Sequence, residues 1–464
     1  MRVTLVNPPF VYTEYDRDTS GPVAPGSSTT TFPVGLAALG SVLRARGVDV
    51  RGLDMPYATY ERNLELLVAQ EPDVVGMSCW TGTQRTLLRL AADLKARLPR
   101  AKVVFGGHHS TMYWEQLLRH YPQVDAVILG EGEETLPVLL EAWERGTEPA
   151  GRPGIAYRRD GEIACTGPAV RVRDLDRFPL PAYDLFHLAR GDGREQRFGA
   201  RPVPGKEWKA QVLAARGCPF QCTFCVDGKF YTQTACRSAK HVVDEIELLY
   251  HEYDVGLFEF TDMTFTLSQK RTLELCAEIL SRGLTISWQA MTRVNTVGDD
   301  VLRAMKEAGC FSISFGVETG SPELLKRIKK GITREQIVEA FRRAQAAGLS
   351  TTMLLMVGNP GETEATIADT IGLLYDARPA EIDPSIYQLY PGSQTYSELR
   401  AAGFISDDYW LDHDAAPYYV GEHDIKTLQT WQRKLMYHHQ CWPRDLPKKV
   451  GAWFARLVPR PAHA

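Results

Sequence analysis

The sequence predicts an α/β protein built from two successive parallel sheets: a doubly wound front domain, then a partial (β/α)6 barrel, then a small, mostly helical C-terminal region. Three observations carry this. Strand-like and helix-like stretches alternate through residues 1–145, the same rhythm resumes at Gln211 for six further units, and a weakly periodic stretch rich in Pro, Gly, Arg and Asp (146–207) separates them. Alternating β and α segments form a parallel sheet covered by helices, because each crossover must return across a face of the sheet.

In the front region, Val3–Val6 is the first strand. Pro33-Val34-Gly35 opens a helix that ends near Gly47, and Val48–Leu53 is the second strand. Arg62–Gln70 and Arg85–Leu98 are helical, with a strand at Val74–Ser78 between them. Lys102–Phe105 and Val127–Leu129 complete the sheet. Ligands of such sheets sit beyond the carboxyl ends of the strands. Here those ends carry Pro8-Pro9, Ser78-Cys79-Trp80-Thr81, Gly106-Gly107-His108-His109 and Gly130-Glu131-Gly132. The connector 146–207 holds a small hairpin, Ile155–Arg158 against Glu162–Cys165. Barrel strands are expected at Gln211–Ala215, Leu257–Thr261, Ser287–Met291, Ser312–Gly316, Ser350–Val357 and Ser385–Leu389, within a domain spanning 208–395. Residues 396–464 form an aromatic, loosely helical extension.

Among 464 residues the net charge is −4, which gives no reason to expect nucleic acid as a partner. No apolar run is long enough to span a bilayer. The start, Met1 to Pro9, reads as a strand and turn rather than a signal peptide, so a cytoplasmic protein is expected. The nine cysteines are an odd number and do not suggest a disulfide framework.

Three of them stand together: Gly217-Cys218-Pro219-Phe220-Gln221-Cys222-Thr223-Phe224-Cys225, a CxxxCxxC spacing on a loop after a strand. Thiolates suit iron–sulfur clusters and zinc. Short zinc sites usually pair two Cys-x-x-Cys units or add histidines, and neither is present nearby. Burial of all three in a core is the other alternative, and the flanking Gly217 and Pro219 speak against it. A four-iron cluster normally takes four cysteines, so three leave one iron open to an outside ligand unless a thiolate elsewhere, such as Cys236, closes the site.

This run resembles the CxxxCxΦC signature of the radical S-adenosylmethionine (SAM) superfamily, with Phe224 as the aromatic residue. The resemblance implies a 4Fe-4S cluster on Cys218, Cys222 and Cys225. Its open iron chelates SAM, and reductive cleavage yields a 5′-deoxyadenosyl radical. Further segments follow in the family's order: Phe260-Thr261-Asp262-Met263-Thr264-Phe265, Trp288-Gln289-Ala290-Met291-Thr292-Arg293, Gly316-Val317-Glu318-Thr319-Gly320-Ser321 and Val357-Gly358-Asn359-Pro360-Gly361-Glu362-Thr363. They imply SAM contacts from Phe224, Thr261, Asp262, Gln289, Arg293, Glu318, Val357 and Gly358.

The front region resembles the cobalamin-binding, Rossmann-like domain that precedes the barrel in one branch of that family. The matching residues are Asn7-Pro8-Pro9, Gly35-Leu36, Asp73-Val74-Val75-Gly76, Gly106-Gly107 and Gly130-Glu131-Gly132-Glu133. Cobalamin contacts are implied for Pro8, Pro9, Gly35, Leu36, Ser78, Trp80, Thr81, Gly106, Gly107, Gly130, Glu131 and Gly132. Asp54-Met55-Pro56 departs from Asp-x-His-x-x-Gly, so no histidine ligand to cobalt is expected from the Asp54 loop; His108 and His109 are rivals for that role. A flavin or nucleotide is the alternative ligand, disfavoured because no Gly-x-Gly-x-x-Gly loop follows the first strand. The resemblance implies methyl transfer from methylcobalamin to an unactivated carbon of a small molecule, with a flavodoxin or ferredoxin as reductant. Radical rearrangement, cyclisation or oxidation is the alternative chemistry. A sensor with a vestigial cluster is the non-enzymatic one.

Overall fold

The computed structural model describes residues 1–8, 32–191, 194–197, 199–226, 233–411, 419 and 421–440. Two seven-stranded sheets form its frame. The first has the order β2-β1-β3-β4-β5-β6-β7. Its parallel part is β1 (Arg2–Asn7), β2 (Asp49–Asp54), β3 (Val74–Ser78), β4 (Lys102–Gly106) and β5 (Ala126–Ile128). Helices α1 (Val34–Ala45), α2 (Tyr60–Ala69), α3 (Gln84–Arg97), α4 (His108–Met112), α5 (Trp114–His120) and α6 (Thr135–Glu144) cover both faces. Successive strand residues go to opposite cores, as a pleated strand requires: Val74 and Val104 to one side, Val75 and Val103 to the other.

The hairpin expected in the connector belongs to this sheet instead. β6 (Ile155–Arg159) pairs antiparallel with β5, and β7 (Glu162–Cys165) with β6. Ile155 and Ala156 are fully buried, so the hairpin covers the edge that β5 would otherwise expose.

The second sheet has the order β16-β15-β14-β13-β12-β9-β8. After β8 (Ala189–Arg190) and the short α7 (Arg194–Arg197) come β9 (Trp208–Val212), the small β10 (Ala215–Arg216) and β11 (Ala235–Cys236), then β12 (Val255–Phe260), β13 (Ser287–Thr292), β14 (Cys310–Glu318), β15 (Ser350–Val357) and β16 (Glu381–Ile386). Six strands run parallel, while β8 is antiparallel to β9. The helices between them are α8 (Ala239–Glu252), α9 (Gln269–Ser281), α10 (Asp299–Glu307), α11 (Pro322–Arg327), α12 (Arg334–Ala346) and α13 (Glu364–Ala377). Buried and half-buried residues alternate along β15, so one face packs into the helix-side core and the other remains partly open.

Several expected boundaries shift. β9 begins at Trp208, and Ala215 lies in the separate β10, paired antiparallel with β11. β14 begins at Cys310, two residues before the expected Ser312. β16 begins at Glu381 and contains Pro384, which an edge strand tolerates. That edge is covered by α15 (Ile425–Gln440), which buries Leu428, Trp431 and Leu435 and donates from Gln432 Nε2 to the Pro384 carbonyl at 2.7 Å. Ahead of it, α14 (Gln394–Ala401) begins a segment that returns to the front domain, where Leu389, Tyr396 and Trp410 join its core. Part of the expected C-terminal extension is therefore a wall shared by both domains.

Candidate functional site

The cysteine loop leaves β9 through the β10–β11 hairpin and turns at Gly217, whose φ of +89° suits glycine. Cys222 is buried; Cys218 and Cys225 are half-exposed. The loop is tied to its surroundings through backbone: Thr223 N–H donates to the Ile328 carbonyl at 3.1 Å, and Thr395 N–H donates to the Thr223 carbonyl at 3.2 Å. Cys218 Sγ lies 3.7 Å from Thr264 Oγ1.

Thr261, half-buried, donates its N–H to the Val212 carbonyl at 3.1 Å. Asp262 is only 1% exposed. Its Oδ2 accepts the Ala214 N–H at 2.9 Å, and Arg271 stands 3.6 Å from Oδ1. The carboxylate expected beside SAM is thus committed to the chain leading into the cysteine loop. Burial outweighs Arg271 and pushes its pKa up to about 6. Val357 also departs from expectation: its side chain is fully buried in the helix-side core, while its neighbours Met356 and Gly358 frame the strand end. The 2.0-residue period of a strand decides which of two adjacent side chains looks inward.

Gln289 is half-buried in β13, in register with Glu259 and Ser312. Glu318 ends β14 with φ +72°, beside a register shift at Gly316. A non-glycine residue in the left-handed region is uncommon and tends to occur at functional sites. Its Oε1 pairs with Lys330 Nζ at 2.7 Å, and that ammonium lies 5.8 Å from the Phe224 ring centre. In the same motif Gly320 has a packing role, since a Cβ there would stand 2.6 Å from Thr370 Cα. Arg293 is buried; its guanidinium stacks 3.8 Å over Phe220 and Nη1 points to Cys222 Sγ at 3.6 Å. Lys330, which the sequence reading did not single out, has no local signature; only the fold brings it to Glu318.

The loop after β15 is held from within. Glu362 Oε2 accepts the N–H groups of Gly358 (2.5 Å) and Asn359 (3.1 Å), while Thr363 caps α13. Burial pushes the Glu362 carboxyl up to about 7. The tail clasps this loop: Glu422 Oε2 accepts from Gly361 N–H at 2.5 Å, and His423 Nε2 lies 2.8 Å from the Glu362 carbonyl. His423 thus serves to hold this loop.

At the rim of the front sheet, Pro8 is buried at the end of β1 and Pro9 lies outside the described residues. Gly35 is exposed in the first turn of α1, whereas Leu36 is a core residue. Ser78 is half-buried, and Trp80 is 42% exposed. Thr81 Oγ1 meets His109 Nδ1 at 3.1 Å. His109 is enclosed by Tyr113 and Trp410, and burial pushes its pKa down to about 3. His108 packs against Trp80, with ring centres 4.8 Å apart. Gly107, at φ +97°, admits no Cβ, which would stand 2.8 Å from the Cys79 carbonyl oxygen. Gly106 has open space where a Cβ would go, Gly130 has φ +77°, and a Cβ at Gly132 would press on Leu39. Asp54, buried at the end of β2, accepts from Asn7 Nδ2 at 2.6 Å and from His187 N–H at 3.0 Å.

Glu131 was expected at cobalamin, but it is a joint. Its Oε1 accepts from Arg171 Nη1 (2.9 Å) and Arg216 Nη1 (3.3 Å), and its Oε2 from Val172 N–H (2.6 Å). Arg216 also donates to Glu133 at 2.5 Å. Arg216 lies two residues before Cys218, so this ion cluster couples the carboxyl edge of the front sheet to the cysteine loop. Two further contacts bring the segment after β16 onto the front domain. Gln84 Nε2 donates to the Trp410 carbonyl at 3.2 Å, and a Cβ on Gly392 would stand 2.7 Å from Met112 Sδ.

The residues present fit the implied groups. Among the described residues no three His, Cys, Asp or Glu side chains converge on a single-ion site. A four-iron cluster asks for something different, because each thiolate takes its own iron. Trp80 and Met263, one on each rim, are both 42% exposed large apolar side chains. No helix among the described residues is long and apolar enough to cross a membrane.

Comparison with known proteins agrees with this arrangement. The Radical SAM superfamily model matches residues 212–374, and the B12 binding domain model matches residues 27–140. An uncharacterized methyltransferase of Pyrococcus horikoshii is 32% identical over 416 residues, covering 88% of this chain and 85% of that one. The anaerobic magnesium-protoporphyrin IX monomethyl ester cyclase of Cereibacter sphaeroides is 31% identical over 78% of this chain, which spans 59% of the cyclase. Among solved structures, the radical SAM methyltransferase TsrM from Kitasatospora setae, with cobalamin and a 4Fe-4S cluster bound, shares the fold with a TM-score of 0.68. Its identity is 21%, over 86% of this chain and 75% of that one. With a cysteine loop at the mouth of a half-barrel, a doubly wound sheet abutting it, and both family models matched in that order, the chain belongs to the cobalamin-binding radical SAM enzymes.

Proposed function

We propose that this enzyme is a C-methyltransferase that acts on an unactivated carbon of a small-molecule intermediate in natural-product or lipid biosynthesis. Bound at the barrel mouth and the front rim, the cluster with SAM supplies hydrogen abstraction and cobalamin supplies the methyl carrier. The protein's own part is to position and to exclude water. Cys218, Cys222 and Cys225 would hold the cluster. Phe224, Thr261, Gln289, Glu318 and the Gly358 backbone would contact SAM. Ser78, Trp80, Thr81, Gly106, Gly107, Gly130 and Gly132, on the opposing rim, would hold cobalamin. A flavodoxin or ferredoxin would deliver electrons.

The observation that supports this reading most is the joint between Arg216 and the Glu131–Glu133 pair. It ties the cysteine loop to the front rim, so that two cofactors would face one substrate. The methyltransferase name of the Pyrococcus relative favours methyl transfer. The cyclase relative favours a second reading, radical chemistry without methyl transfer. The test is reconstituted protein incubated with reductant and SAM labelled in its methyl group, on candidate substrates. Methyl transfer predicts 5′-deoxyadenosine together with labelled product. Deoxyadenosine with unlabelled product selects the second reading.

A further inference from the structure

Among the described residues, Arg293 is a buried cation without a carboxylate partner. It is 5% exposed, and among the described residues no Asp or Glu lies within 4 Å of it. Its neighbours are Cys222 Sγ, 3.6 Å from Nη1, the Lys330 carbonyl, which accepts from Nη2, and the Phe220 ring at 3.8 Å. Its Nε is buried with no hydrogen-bond partner among the described residues. The adjacent Lys330 is different, since Glu318 balances it at 2.7 Å. A buried guanidinium is costly unless an anion compensates it. The group placed to do so is the Cys222 thiolate and whatever negative charge it carries when iron is bound.

We propose that Arg293 is the counter-cation of the cluster: it donates to the Cys222 thiolate and raises the cluster's reduction potential, rather than gripping the carboxylate of SAM. A positive charge and a hydrogen bond to a ligating sulfur both favour the reduced, more negative cluster. Arg293 is thereby a positioning and tuning residue.

The proposal rests on the cluster reading, and one series of measurements separates the two. Wild-type protein reconstituted anaerobically is assayed for iron and for a paramagnetic signal on reduction; absence of both overturns cluster and proposal together. Potentiometric titration of that signal, without SAM, is then repeated on Arg293→Met and Arg293→Lys. At a fixed potential, Arg293→Met should lower the ratio of reduced to oxidised cluster about tenfold, a midpoint shift of about 59 mV for one electron. Arg293→Lys, which keeps the charge, should shift it less. Binding of labelled SAM by equilibrium dialysis should stay within about twofold of wild type. An unchanged midpoint in an iron-replete Arg293→Met protein overturns the proposal, and so does a large loss of SAM affinity without a shift. If Arg293→Met takes up no iron, Arg293→Gln, which drops the charge and keeps a donor, is read against the same outcomes.

Discussion

The barrel mouth and the front rim treat charge in opposite ways. At the mouth, Arg293 is buried without a carboxylate and Glu362 keeps one carboxylate oxygen without a partner among the described residues. At the rim, Glu131 and Glu133 are equally buried but paired with Arg171 and Arg216. Paired charge marks a joint between domains; unpaired charge marks a place built around something the chain itself does not supply.

The largest effect expected from testing this contrast is at the cysteines. Replacing any of Cys218, Cys222 or Cys225 with alanine should abolish SAM cleavage and deplete iron, read by iron content and deoxyadenosine formation. Next comes the joint. Arg216→Met strands Glu133 and part of Glu131, and should cost about 3–5 kcal/mol, read by chemical denaturation. A loss no larger than that of an exposed ion pair would mean that the rim is not closed by charge.

Glu362 supplies a pH test. Its folded pKa, about 7, lies above its ordinary value of 4.5, so the folded state holds the proton more tightly. Stability from this group is full below 4.5 and falls as pH rises through about 7, by up to about 3 kcal/mol. Glu362→Gln should remove that slope from the melting temperature measured between about pH 4.5 and pH 8. If both proteins melt with the same pH dependence, the carboxyl is not held protonated. The smallest effect is at Thr395→Val, which loses a hydroxyl bond to the Thr223 carbonyl (3.4 Å) and should cost about 1 kcal/mol.

Where ligand chemistry depends on local spacing, the chain could be read directly. CxxxCxxC is such a case, because three thiolates on one loop need little help from distant residues. The strand ends bearing Glu318 and Gly107 were legible too, since each sits where a strand meets a turn. Residues whose role depends on a partner far along the chain were not. Glu131 looks like a rim ligand until Arg216 arrives from 85 residues away. Asp262 looks like a SAM contact until the Ala214 N–H turns to it. Val357 was misplaced by one residue of strand parity, and the Ile155–Arg159 hairpin by the absence of any sequence sign that β5 needed an edge partner.

Periodicity and cysteine spacing alone were enough to specify two parallel sheets in series and a cysteine loop after the first strand of the second, because both are short-range properties of the chain. How the two sheets meet was decided only in three dimensions. Burying the Glu131–Arg171–Arg216 cluster, seating Gly392 on Met112 and folding Trp410 back onto the front core all join residues remote in sequence. Desolvation, which sets the cost of every buried charge, exists only once those surfaces have closed.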